Sequence, residues 1–207
     1  MTLLATILYE DRLAVHTKHF GLHELVLKCL GDRFPKLTHD GLRVMFQANP
    51  RKGAQNVRKE CEDRRKKEKL YRASRILVAV YDRDKIHDVV ASDTTCKVSV
   101  RDNLRSTSPW ASNLIVVLLE ENTETVLTAI LHAKDRGAKL AGKPRPDERD
   151  EILLSAAWGS VAIRDEVLAA VPSLRYLVDK LAVEVTAHLL AHGPLKASTS
   201  GTDDSSR

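Results

Sequence analysis

Ile76-Leu77-Val78-Ala79-Val80-Tyr81-Asp82-Arg83-Asp84 is an unbroken apolar run that ends abruptly on acid. A short, β-branched-rich run without alternation reads as a strand buried on both faces, the kind found in parallel sheets covered by crossover helices. Thr6-Ile7-Leu8-Tyr9-Glu10 has the same form, as does Leu114-Ile115-Val116-Val117-Leu118-Leu119, which is followed by Glu120, Glu121 and Glu124. A parallel sheet gathers the C-terminal ends of its strands along one edge, where ligands bind. The acids are therefore expected to meet there.

Helical spacing fills the stretches between these runs. Leu22, Leu25, Val26, Cys29 and Leu30 mark one face of a helix from about His16 to Asp32. Gly41 to Phe46 alternates partly and reads as a second strand, with a turn at Asn49-Pro50-Arg51-Lys52-Gly53. Ala54 to Ala73 is a charged helix, and another helix runs to about Arg136 with Asn122 or Thr123 as its cap. Gly137 to Pro146 reads as a linker. Helices follow over Asp147–Ala157, Val161–Val171 and from Pro172, where Leu174, Leu177, Val178, Leu181 and Val185 form an apolar stripe. The expectation is an α/β fold: a mostly parallel four-stranded sheet flanked by helices, with a C-terminal helical extension. The α/β domain would span residues 1–136, the helical segment packed on it 146–192, and a disordered tail 193–207.

Composition narrows the class. Hydrophobic residues make up 43% and charged residues 29%, enough for a core and a hydrated surface. No apolar run is long enough to cross a bilayer, and the N-terminus lacks the basic region of a signal peptide, so the expected compartment is the cytoplasm. Three widely spaced cysteines, Cys29, Cys61 and Cys96, argue against a disulfide framework or a structural zinc site. Cys29 falls on an apolar helix face. GxSxG, Walker A and GxGxxG motifs are absent, which removes support for serine hydrolase, P-loop and dinucleotide readings. His16, His19 and His23 have helical spacing; they read either as a transition-metal set or as surface residues at a helix start. Trp110 and Trp158 read as packing residues.

The acids carry the chemistry. Alternate residues of a strand point the same way, so Asp82 and Asp84 share a face while Arg83 points away. Mg²⁺ takes hard oxygen ligands, usually through one or two carboxylates with water and substrate phosphate. Glu10 and Glu124, each following an apolar strand, supply the remaining carboxylates. Acids in these places also serve as ordinary loop residues and helix caps. The net charge is +5, and cations concentrate from Arg51 to Arg75, which suits a polyanion. The helix carrying Arg58 and Arg65 also has Glu60, Glu62, Asp63 and Glu68, the composition of a solvated face.

A glutamate after the first strand and a DxD after a later one, here Glu10 and Asp82-Asp84, resemble the Toprim domain of topoisomerases, primases and OLD-family nucleases. Three further motifs are similar to small stand-alone bacterial Toprim-like proteins. They are Lys52-Gly53 before the second long helix, Glu124-Thr125-Val126-Leu127 opening an apolar helix, and Val171-Pro172-Ser173-Leu174 at the last helix. The resemblance spans residues 3–188. Asp11 stands where the family has glycine, and Val126 where an aromatic is common. The resemblance implies a Mg²⁺- or Mn²⁺-dependent nuclease with Asp82, Asp84 and Glu124 as metal ligands. Glu10 would be the general acid/base or a further metal ligand, Lys52 a phosphate-holding residue, and Arg51, Lys52, Arg58 and Arg65 nucleic-acid contacts. It also implies an anti-phage or toxin-like setting and homo-oligomers. The other reading it opens is a non-catalytic subunit that binds nucleic acid or a partner ATPase.

Overall fold

The computed structural model describes residues 3–10, 20–66, 76–82, 114–119 and 123–193. The chain is α/β, with a parallel sheet flanked by helices. Strands β1 (Ala5–Tyr9), β2 (Phe46–Pro50), β3 (Ile76–Asp82) and β4 (Leu114–Leu119) lie in the order β2-β1-β3-β4. All three pairings are parallel, with Tyr9 opposite Pro50 on one side and Val80 on the other. Every residue of β1 and of β3 is buried, as their unbroken apolar sequences require.

The helices are α1 (Gly21–Arg33), α2 (His39–Met45), α3 (Ala54–Lys66), α4 (Thr123–Lys134), α5 (Pro146–Ala157), α6 (Val161–Ala170) and α7 (Pro172–His192). The stripe read on α7 is fully buried. One hydrophobic core joins sheet and helices, from Ile7, Leu25 and Val78 to Leu153, Leu174 and Val185. At the crossing of α1 and α5, the Gly21 N–H donates to Asp150 Oδ1 at 3.0 Å. A Cβ at Gly21 would lie 2.8 Å from the Leu153 Cβ, so only glycine fits there. Arg164 of α6 anchors the helical layer to α1: its Nε and Nη2 donate to the two oxygens of Asp32 at 2.6 and 2.8 Å. Its Nη1 donates to the Ala157 and Gly159 carbonyls.

Two local expectations are corrected. Gly41 to Met45 is helix, and the second strand starts only at Phe46. Thr38 caps α2 by accepting the Gly41 N–H at 3.1 Å, and Leu42 and Met45 are buried at i, i+3 while Val44 faces outward. A strand would have put Val44 on the same face as Leu42. Asn49 and Pro50 are strand residues, and the turn is confined to Arg51–Gly53. β2 is an edge strand, where proline is tolerated. Trp158 is also not a packing residue: it is 57% exposed, with the Lys28 ammonium 3.7 Å from its ring centroid. Cys29 is buried, and burial pushes its thiol up to about 12, an inert core position.

Candidate functional site

The chain places β2 on one side of β1, then returns to place β3 and β4 on the other. The C-terminal ends of β1 and β3 therefore flank the topological switch point, the crevice where open α/β sheets bind ligands. Glu10 immediately follows β1, and Asp82 ends β3. Both are almost fully buried, at 5% and 6% exposure.

Three hydrogen bonds set Glu10. Its N–H continues the β1–β3 ladder to the Val80 carbonyl at 3.1 Å. In a regular parallel ladder its own carbonyl would next accept the Asp82 N–H. That carbonyl instead accepts the Gly53 N–H at 2.9 Å, and the Glu10 side chain takes its place: Oε2 accepts the Asp82 N–H at 2.9 Å. The two strands thus part at this point, with the carboxylate bridging the gap. A charge-assisted bond of this kind contributes about 1.5–3 kcal/mol.

Asp82 is set from its other side. Thr123 starts α4 and is 2% exposed, and its hydroxyl donates to Asp82 Oδ1 at 3.1 Å. The sequence suggested Asn122 or Thr123 as a helix cap; Thr123 is the first residue of the helix, and its hydroxyl hydrogen goes to Asp82. Glu124 follows in the first turn of α4, half-buried. Among the described residues, no three His, Cys, Asp or Glu side chains come together as a set that could hold a metal ion. Asp84 lies outside the described residues, as do Asp11, His16, His19, Cys96, Trp110 and Asn122. The second aspartate of the DxD is therefore not part of the described geometry.

The Lys52-Gly53 turn abuts Glu10. The Arg51 N–H donates to the Tyr9 carbonyl at 2.7 Å, one residue before the Gly53–Glu10 bond. Gly53 has φ +93°, a conformation that favours glycine. Lys52 is exposed between these two anchors, and its carbonyl accepts from the Asn56 side chain. Beside the turn is a 350 Å³ cleft lined by Arg51, Lys52, Asn56, Lys59, Glu60 and Asp63. Arg58 and Arg65 belong to α3, but their side chains are outside the described part.

Immediately before Glu10, Tyr9 is bound into the core. Its hydroxyl lies 3.1 Å from His23 Nδ1, and His23 Nε2 lies 3.1 Å from the Phe46 carbonyl. The carbonyl can only accept, so Nε2 carries the proton, and the Tyr9 hydroxyl donates to Nδ1. Burial pulls the His23 imidazole down to about 4, outweighing the raising effect of Glu24. His23 is therefore a neutral core residue, neither a surface histidine nor an available metal ligand. Burial also raises Tyr9, with Glu24 adding to the effect. Glu24 itself is pushed up by burial. Hydrogen bonds from Arg43 and His39 more than reverse this and hold its carboxyl below the usual range.

Among the described residues, no helix is long and apolar enough to cross a membrane. Compared with protein-family models, curated proteins and solved structures, the chain matches none.

Proposed function

We propose that this chain is a Toprim-fold nuclease that cleaves nucleic-acid phosphodiesters with Mg²⁺ or Mn²⁺. The observation that carries the reading is the presence of two buried acidic residues, Glu10 and Asp82, at the switch-point edge of the sheet, with the Asp82 backbone N–H donating to the Glu10 carboxylate. Their hard oxygens suit Mg²⁺, which needs only one or two carboxylates beside water and phosphate. Asp82, Asp84 and Glu124 would hold the metal. When bound, the metal would polarise the phosphodiester and acidify a coordinated water. Glu10 would carry the proton, its carboxylate orientation set by the Asp82 N–H. Lys52, exposed between two backbone anchors, would hold a substrate phosphate near that carboxylate.

The test is a cleavage assay on DNA and RNA with Mg²⁺ or Mn²⁺. Asp82→Ala and Glu10→Gln should each abolish cleavage, and undiminished activity in both sinks the reading.

One observation favours a second reading, a degenerate subunit that binds nucleic acid or a partner ATPase. Each of the two carboxylates already serves a protein donor, the Asp82 N–H or the Thr123 hydroxyl. Calorimetric titration with Mg²⁺ separates the two: a folded protein that takes up no Mg²⁺ supports the second reading.

A further inference from the structure

The cleft beside the Lys52-Gly53 turn carries its own counter-charges and an excess of one cation. Its lining holds three cations, Arg51, Lys52 and Lys59, and two carboxylates, Glu60 and Asp63. Arg51 Nη2 contacts Glu60 Oε2 at 2.9 Å across the cleft, with side chains 34% and 24% exposed. Asn56, Lys59, Glu60 and Asp63 recur at i, i+3, i+4 and i+7, so α3 presents them along one face. The turn that carries Arg51 and Lys52 is fixed by the bonds to Tyr9 and Glu10. The cations are therefore held in register with the carboxylate edge.

A guanidinium binds carboxylate and phosphate with the same planar fork of donors. We infer that Glu60 is an internal counter-anion. It occupies at Arg51 the position that a backbone phosphate of nucleic acid takes when it enters this cleft, and must give up the guanidinium when it does. This rests on the nucleic-acid reading above and adds to it a residue that tunes affinity. A strand suits the cleft better than a lone phosphate. Lys59 lies about 8 Å beyond the start of α3 by the rise of an α-helix, so the cleft offers a second cationic position beyond the Arg51-Lys52 turn. A partly exposed ion pair is weak enough to exchange partners.

The experiment is fluorescence anisotropy with a labelled duplex DNA oligonucleotide in EDTA, so that binding is read without cleavage, over a series of salt concentrations. Glu60→Gln should bind about threefold to tenfold more tightly than the parent, because one phosphate no longer competes with a tethered carboxylate. Its plot of log affinity against log salt should be steeper by up to about 0.9, the increment for one phosphate fully neutralised, because the displaced Glu60 of the parent still offsets the Arg51 charge. The Arg51→Gln/Glu60→Gln double variant should lose that steepening. Glu151→Gln removes the same charge from an exposed position on α5 and should leave the slope unchanged. An equal gain in Glu151→Gln, an unchanged slope in Glu60→Gln, or no binding by parent and variant alike each overturns the inference. Its failure is separable from that of the nuclease reading. Tighter binding without metal-dependent cleavage supports the cleft alone, whereas cleavage with an unaltered Glu60→Gln slope overturns the role of Glu60.

Discussion

Glu10 and Asp82 are joined by a side chain where a parallel ladder would use main chain: Glu10 Oε2 accepts the Asp82 N–H at 2.9 Å while the Glu10 carbonyl turns to Gly53. One residue thereby ties together β1, β3 and the Lys52-Gly53 turn. The same bond holds a buried carboxylate at the edge where parallel sheets place their ligands.

Glu10→Gln should keep the fold, because the amide oxygen can still accept the Asp82 N–H, while removing any role as proton carrier. Its urea midpoint should stay close to that of the parent, with cleavage lost. Glu10→Ala leaves the buried Asp82 N–H without this acceptor and should cost about 1–3 kcal/mol in the same unfolding measurement. An alanine variant as stable as glutamine would show that the bridge does not hold the strands.

Thr123→Val is nearly isosteric and removes only the hydroxyl that donates to Asp82 Oδ1. Groups that orient a metal ligand typically matter 10- to 100-fold in metal affinity or activity, so an effect on that order, roughly, is expected on the Mg²⁺ concentration for half-maximal cleavage. Thr123→Ser should restore it. An unchanged Mg²⁺ requirement in the valine variant would remove Thr123 from the site.

Acid should destabilise the fold through His23. An unfolded histidine titrates near 6.5, and His23 in the folded chain near 4. Between those values the unfolded chain binds the extra proton, so stability is complete above about pH 6.5 and falls as pH drops toward 4. The loss from this residue approaches about 3 kcal/mol. Glu24, held below its usual range by Arg43 and His39, adds a loss of the same sign at lower pH. His23→Gln should be less stable at pH 7 but show a flatter profile between pH 6.5 and 4. Parallel profiles would show that another group sets the acid limb.

Gly21→Ala should destabilise by about 1–3 kcal/mol, because the new methyl would meet Leu153 Cβ at 2.8 Å and Asp150 Oδ1 at 2.9 Å. Both contacts lie on α5, so α1 and α5 would have to separate. A thermal melt at or above the parent midpoint would mean that this crossing is looser than the backbone shows.

Much of the fold was legible in local chemistry. β3 and β4 are uninterrupted apolar runs with no competing helical period, and the burial of α7 follows from spacing alone. Gly41 to Met45 reads as strand in the sequence because five residues contain too little periodicity to separate helix from strand. The deciding element was the Thr38 cap, a side chain-to-backbone bond just outside the segment. His23 and Trp158 exchanged their expected places for a related reason. Burial of a single polar or aromatic residue depends on which neighbours arrive from distant sequence, here Tyr9 and the Phe46 carbonyl for His23.

The sequence by itself determined that apolar strands end in acid and that helices cover the sheet, since period and hydrophobic burial are local properties of the chain. Only the tertiary structure decided that β1 and β3 are neighbours, with β2 on the far side of β1. That order brings Glu10, Asp82 and Thr123 into hydrogen-bond contact across 72 and 41 residues of chain. Nothing in the spacing of these residues encodes their contact. It arises because the strands pair in one order, and buried polar groups must then find their partners among whatever that order places beside them.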